Sequence, residues 1–196
     1  MPLLNYQKRE INFKVVYYGP AFSGKTTNLM YLHRHLSPET RGELITMATQ
    51  TDRTLYFDFM PLDLGEVQGW QMRLSLYTVP GQVQYDVSRK LILNGADAVV
   101  FVADSDVLRS PDNIESLQNM VENLAEHRIN LDELPWVLQY NKRDLADIMP
   151  IERMQKELNA RDVPALEAVA SEGLGVFATL KSTSKLLLNH IAKIIK

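Results

Sequence analysis

The chain has 196 residues, 45% of them hydrophobic and 23% charged, as in an ordinary globular domain with a buried core. Its 21 Lys and Arg against 24 Asp and Glu leave a net charge of −3, without the basic excess that an electrostatically driven nucleic-acid binder uses to displace counterions. There is no cysteine, which excludes disulfide scaffolds, thiolate metal sites, thiol nucleophiles and Cys-anchored lipids.

The N-terminus, MPLLNYQKRE, has no apolar stretch of signal-peptide length, and Pro2 cannot replace a myristoylated glycine. Residues 1–9 read as a short extension. Ile11–Tyr18 is β-branched and aromatic and reads as a strand. A Gly-rich turn follows, then a helix over Lys25–Leu36 that Ser37-Pro38 stops. Arg41–Thr54 is polar and aperiodic and reads as a loop. Leu55–Leu62 and Trp70–Thr78 read as two strands of a hairpin, with turn signals from Leu64-Gly65-Glu66 to Gly69. Ala98–Ala103 is a continuous apolar run, the mark of a central strand covered on both faces. Asn113–His127 reads as a helix, Pro135–Tyr140 as a buried strand, Pro150–Asn159 as a helix, Val163–Val169 as a weak strand and Gly173–Lys196 as a long final helix.

This alternation predicts one α/β domain over residues 1–196. Its sheet is mostly parallel with one antiparallel hairpin, and helices cover both faces. No apolar run reaches the ~20 residues of a membrane span. Val176–Lys196 holds Lys181, Lys185, Lys193 and Lys196 and no acid. With Leu180, Leu187, Leu188, Ile191 and Ile195 near one face it reads as a core-packing helix with cations toward its C-terminus; membrane-surface binding is the alternative. His33, His35, His127 and His190 form no metal-ligand spacing.

Gly19-Pro20-Ala21-Phe22-Ser23-Gly24-Lys25-Thr26 matches the phosphate-binding pattern G-x-x-x-x-G-K-[ST], between a predicted strand and a predicted helix. Backbone N–H groups and the helix N-terminus suit phosphate oxygens, Lys25 suits the β and γ phosphates, and the Thr26 hydroxyl suits Mg²⁺. Thr27 continues the first turn. Asn141-Lys142-Arg143-Asp144 follows a buried strand, at the carboxyl end where open α/β sheets bind ligands. A carboxylate there accepts from guanine N1–H and N2–H₂, whereas adenine leaves its lone pairs unpaired. The Lys142 stem is placed to lie on the base face, and Asn141 to tie this loop to the phosphate cradle.

The two motifs in this order resemble the Ras-like small GTPase superfamily, a P-loop fold. The segments between them sharpen the likeness: Arg53-Thr54-Leu55-Tyr56-Phe57-Asp58-Phe59, Leu76-Tyr77-Thr78-Val79-Pro80-Gly81-Gln82 and Ser88-Arg89-Lys90-Leu91-Ile92-Leu93 resemble the bacterial MglA family of polarity and gliding-motility GTPases. The likeness runs from about Arg9 into the final helix.

The resemblance implies a switch that binds GTP or GDP with Mg²⁺ and hydrolyses GTP, with GTP holding a first-switch loop, Arg41–Thr54, and a second-switch loop, Thr78–Lys90, through γ-phosphate and Mg²⁺ contacts that hydrolysis releases. Thr54 would sense Mg²⁺ and the γ-phosphate, a role that the residues alone do not separate from Thr46, Thr49 or Thr51. Gly81 would donate its N–H to the γ-phosphate, Gln82 would orient the attacking water, Arg53 would be an arginine finger in cis, and the Ala170 N–H would cap the guanine oxygen. It further implies a register shift of the hairpin on activation, a Roadblock-type dimeric activating protein like MglB, effectors at a cell pole, and a cytoplasmic protein that is monomeric when free. Two positions depart from the pattern. Ala21 stands where glycine is usual, its methyl expected near the γ-phosphate and the water, which slows hydrolysis. Thr78 stands where most Ras-like proteins carry an Mg²⁺-shell aspartate, with Asp58 a candidate substitute or a strand-end residue bonding backbone. Two other readings compete: a GTP-loaded scaffold with negligible turnover, and a P-loop kinase or ATPase using Asp104 as its metal-binding carboxylate.

Overall fold

The computed structural model describes residues 2–48, 56–82 and 85–194. In chain order its elements are β1 (Leu3–Asn5), β2 (Glu10–Tyr18), α1 (Lys25–His35), β3 (Ile45–Ala48), β4 (Tyr56–Val67), β5 (Trp70–Thr78), α2 (Asp86–Leu93), β6 (Ala98–Asp104), α3 (Ser110–Glu126), β7 (Trp136–Asn141), α4 (Ile151–Leu158), β8 (Ala165–Glu167) and α5 (Val176–Ile194). They build one sheet in the order β3-β4-β5-β2-β6-β7-β8, with β1 also on β2. The pairings β5–β2–β6–β7–β8 are parallel, and the β4–β5 hairpin is antiparallel.

Side-chain alternation along β2 explains the layers. Ile11, Phe13, Val15 and Tyr17 join Leu29 and Leu32 of α1 and Val176, Leu180 and Leu187 of α5 in one core. Val16 and Tyr18 point the other way, to a second core with Ile92 of α2, Met120 and Leu124 of α3 and Met154 of α4. β6 and β7 lie between these cores and are buried at every position, as a continuous apolar run predicts. Inside the first core, Asn28 and Gln139 exchange amide hydrogen bonds of 2.8 and 2.9 Å, and Gln139 also donates to the Thr179 hydroxyl at 2.9 Å. These bonds fix α1 against β7 and α5 in one register.

Several boundaries differ from expectation. The N-terminal extension contributes a strand, since β1 pairs antiparallel with β2. Tyr6 then meets Trp70 edge-on, with ring centroids 5.6 Å apart. Arg41–Thr54, expected as loop, contains β3, which pairs antiparallel with β4. β3 is an edge strand whose Ile45, Thr46 and Met47 are all exposed, so it carries no alternation to read. The Leu64-Gly65-Glu66 turn signal lies inside β4, at a bulge where the register shifts between Asp63 and Gly65. Gly65 has φ 83° there, and the actual turn is at Gln68-Gly69.

The parallel strands bring their carboxyl ends to one edge: Tyr17 is level with Thr78, and Asp104 with Asn141. The loops leaving that edge carry the candidate residues.

Candidate phosphate and base site

The turn between β2 and α1 closes around the Lys25 side chain. Its amine donates to the Gly19 carbonyl at 2.9 Å and the Pro20 carbonyl at 2.6 Å. Burial pushes this amine down to about 7; Arg89 and Arg109 act in the same direction and Asp58 opposes them. Gly24 has φ 101°, and a Cβ there would lie 2.1 Å from the Asn141 amide, so glycine is required twice over. The following residue positions are less orthodox. Ala21 has no left-handed backbone, but Phe22 has φ 64° with its ring 80% exposed. A left-handed φ costs a residue with a Cβ on the order of 1 kcal/mol.

A cleft of about 460 Å³ opens at this turn, lined among others by Ala21, Phe22, Gly24, Lys25, Thr26 and Thr27. Thr78, Gly81 and Gln82 face it from the end of β5 and the loop beyond. Ser23 is buried beneath. The second-switch loop, expected over Thr78–Lys90, is shorter than that, because α2 starts at Asp86. Gly81 presses against the cradle: a Cβ there would lie 2.3 Å from the Ala21 Cα. Arg53 and Thr54 fall outside the described residues, as do Thr49 and Thr51.

The Asp58 carboxylate bonds side chains of three elements. It is 3% exposed. Its Oδ2 accepts from the Thr26 hydroxyl at 2.6 Å and the Thr78 hydroxyl at 2.8 Å, and its Oδ1 from the Thr46 hydroxyl at 2.9 Å. Its own N–H donates to the Thr78 hydroxyl at 2.9 Å. Asp58 is therefore a carboxylate aimed at Thr26 with Thr78 backing it, and its N–H is paired as well. Among the described residues no three His, Cys, Asp or Glu cluster as a metal site. A hydroxyl plus one carboxylate, with phosphate and water completing the shell, is the sparse protein donor set that Mg²⁺ takes. The residues fit that ion.

The base side is joined to the phosphate side by Asn141. Its amide donates to the Ser23 carbonyl at 2.7 Å, and its Oδ1 accepts from the Ala170 N–H at 2.9 Å. The Ala170 N–H, expected to cap the guanine oxygen, donates to Asn141 in this structure. Lys142 has φ 65° and stretches across to Asp104, with its amine 2.6 Å from Oδ2. Asp104 is 1% exposed and also lies 3.9 Å from Arg109. Its carboxylate thus serves the base loop, while the carboxylate at Thr26 is Asp58. Asp144 is exposed at the loop's outer end.

Two arginines were not foreseen. Arg89 of α2 donates to the Pro80 carbonyl at 3.0 Å and the Gly81 carbonyl at 2.8 Å. Arg109, in a 3-10 turn before α3, donates to the Ala21 carbonyl at 2.7 Å and pairs with Asp112. Their acceptors in the cradle and the loop after β5 are main-chain oxygens, which every residue carries, so no side-chain pattern announces these contacts.

A family model described as Ras family matches residues 14–188. The mutual gliding-motility protein MglA of Myxococcus xanthus (strain DK1622) is 55% identical over 193 residues, 98% of this chain and 99% of that protein. Similarity of this extent spans cradle, switch segments and base loop alike, and the chain belongs to the Ras family, as a small GTPase related to MglA.

Proposed function

We propose that the protein is a GTP-binding switch that hydrolyses GTP to GDP and controls cell polarity and motility through GTP-dependent partner binding. One observation carries the nucleotide assignment: the Asn141 side chain bonds the Ser23 carbonyl, so a guanine-selecting loop and a phosphate cradle share one hydrogen bond. Asp144 accepts from the guanine edge, and Lys142 lines the base with its stem. Lys25 neutralises the β and γ phosphates. Thr26 holds Mg²⁺, with Asp58 standing behind it in place of the carboxylate that Thr78 lacks. The ion, when bound, neutralises charge that develops on the phosphate oxygens.

Gly81 donates its N–H to the γ-phosphate and Gln82 orients water. Arg53 and Thr54 complete the site from the first switch. Two exposed apolar residues one turn apart on α2, Val87 at 61% and Leu91 at 56%, support a docking role for the second switch. A Roadblock-type dimeric activator and pole-localised effectors are the partners of this reading, and the free protein is a cytoplasmic monomer. No helix among the described residues is long and apolar enough to cross a membrane.

Ala21, where glycine is usual, supports a second reading, a GTP-loaded scaffold with negligible turnover: Gly81 packs against the Ala21 backbone, and the extra methyl of residue 21 adds bulk to the cradle beside the water-positioning segment. Single-turnover hydrolysis with and without activator separates the two: a stimulated rate is a switch, none is a scaffold. The nucleotide assignment is tested by Asp144→Asn. An amide offers guanine one acceptor and one clashing donor, and the lost charge-assisted contact costs on the order of 2–4 kcal/mol. GDP affinity is expected to fall by about 30-fold or more; an unchanged Kd overturns the assignment.

A further inference from the structure

Arg89 is 2% exposed, yet among the described residues it forms no ion pair with a carboxylate. Its Nε donates to the Pro80 carbonyl at 3.0 Å, Nη2 to the Gly81 carbonyl at 2.8 Å, and Nη1 to the Asn119 Oδ1 of α3 at 2.7 Å. The guanidinium carbon also lies 5.9 Å from the centre of the Tyr18 ring. Asn119 is itself fixed, because it accepts from the Tyr18 hydroxyl at 2.5 Å and donates to Asp86 at 2.8 Å. A planar fork with donors in fixed directions thus grips two successive carbonyls of the second switch and braces them on α3 and β2.

The two gripped carbonyls define two peptide planes. In a trans peptide the C=O and the following N–H point in opposite directions. Holding the Pro80 oxygen therefore aims the Gly81 N–H away from Arg89. Holding the Gly81 oxygen fixes the plane from which Gln82 departs. Glycine at residue 81 has no side chain to restrict those planes, so the restriction has to come from outside. Arg89 supplies such a restraint by bonding both carbonyls.

We infer that Arg89 is a positioning residue for triphosphate recognition and hydrolysis, acting through the Pro80-Gly81 and Gly81-Gln82 peptides. This rests on the reading of Gly81 as the γ-phosphate donor. Ground-state binding of the diphosphate depends on the cradle, Lys25 and the base loop; the hydrogen bonds of Arg89 go instead to Pro80, Gly81 and Asn119, and its charge, which acts on Lys25, is kept by lysine. Its loss therefore weakens what is specific to the third phosphate.

The test uses the full chain and a fluorescent GDP beside a non-hydrolysable GTP analogue. Lysine at this position supplies a compact ammonium that cannot span both carbonyls. In Arg89→Lys, affinity for the analogue is expected to fall about tenfold while that for GDP changes less than about twofold. Activator-stimulated single-turnover hydrolysis is expected to fall by about tenfold to a hundredfold. Asn119→Ala, which leaves Arg89 in place and removes its brace, is expected to shift the same ratio in the same direction by less, and it serves if Arg89→Lys does not fold. Analogue and GDP affinities that fall together would assign Arg89 to the fold alone, and unchanged affinities with an unchanged rate would assign it no role; either result overturns the proposal. Wild-type protein that binds neither nucleotide overturns the parent reading and this one with it.

Discussion

Three threonine hydroxyls converge on Asp58, from α1, β3 and β5. The arrangement gives the carboxylate a charge-dependent role, since every hydroxyl donates to it. Asp58→Asn keeps the volume but replaces one acceptor oxygen with a donor that faces a hydroxyl. The Mg²⁺ concentration that half-maximally retains bound GDP is expected to rise about tenfold or more. Nucleotide release during a Mg²⁺ titration after chelation reads this directly, with circular dichroism as the folding control; a coincident titration curve would remove Asp58 from the metal site. At this scale the two motifs were legible because their chemistry is local: Gly19 to Thr26 is one turn, and Asn141 to Asp144 is another. Asp58 was legible only as one of two options, because its partners Thr26 and Thr78 are 32 and 20 residues away. The contacts of Arg89 and Arg109 with the loop after β5 and the cradle were illegible because they are made to carbonyls.

The hairpin is the element that joins the two switch segments. The first leads into β4, and the second leaves β5 after Thr78. Sliding one strand on the other would change the spacing of both arms at the nucleotide. Its present register sets Phe59 opposite Tyr77 and Glu66 opposite Gln71. The chain has no cysteine, so a Glu66→Cys, Gln71→Cys pair forms one unambiguous cross-link. If activation shifts the register, the oxidised variant is expected to keep GDP binding and lose activator-stimulated hydrolysis, with reduction restoring it. Equal stimulation of oxidised and reduced protein would show that the register stays fixed. The hairpin's existence was legible from alternation, but its length was not. Leu64-Gly65-Glu66 has turn composition, while Gly65 in fact serves a bulge in which its N–H donates to the Asp63 carboxylate at 2.7 Å. β3 was missed for the complementary reason that a strand with three exposed residues in succession has no buried face to periodise.

Over the whole molecule, two cores sandwich the sheet and leave its carboxyl edge to Lys25, whose burial is thus a property of the assembled fold. Its amine titrates near 7 in the folded protein against 10.5 in an unfolded chain. Between those values the unfolded state binds more protons, so the nucleotide-free protein is expected to gain stability as pH rises from about 7 toward 10.5, and to hold none of that gain below 7. Urea midpoints at increasing pH check the slope, and Lys25→Met is expected to flatten it. Phosphate oxygens favour the charged amine, so nucleotide binding near pH 8 is expected to take up a proton. Calorimetry in buffers of different ionisation enthalpy measures that uptake, and its absence would mean that the free amine is already charged. The alternation of strands and helices was legible at this scale because each core-facing strand carries its own apolar run.

The edge-on contact of Tyr6 with Trp70 has an optical consequence. The chain has two tryptophans. Trp136 is sealed within β7 at 3% exposure, whereas Trp70 is half-buried at the tip of the hairpin against a ring borne by the N-terminal segment. The buried indole therefore supplies a constant emission background, and the other reports on the tip. Any rearrangement that draws the hairpin along β2 separates Trp70 from Tyr6, exposes its indole to water and shifts its emission to the red. If nucleotide exchange or hydrolysis moves the hairpin, intrinsic fluorescence is expected to follow it in real time, with Trp70→Phe as the dark control.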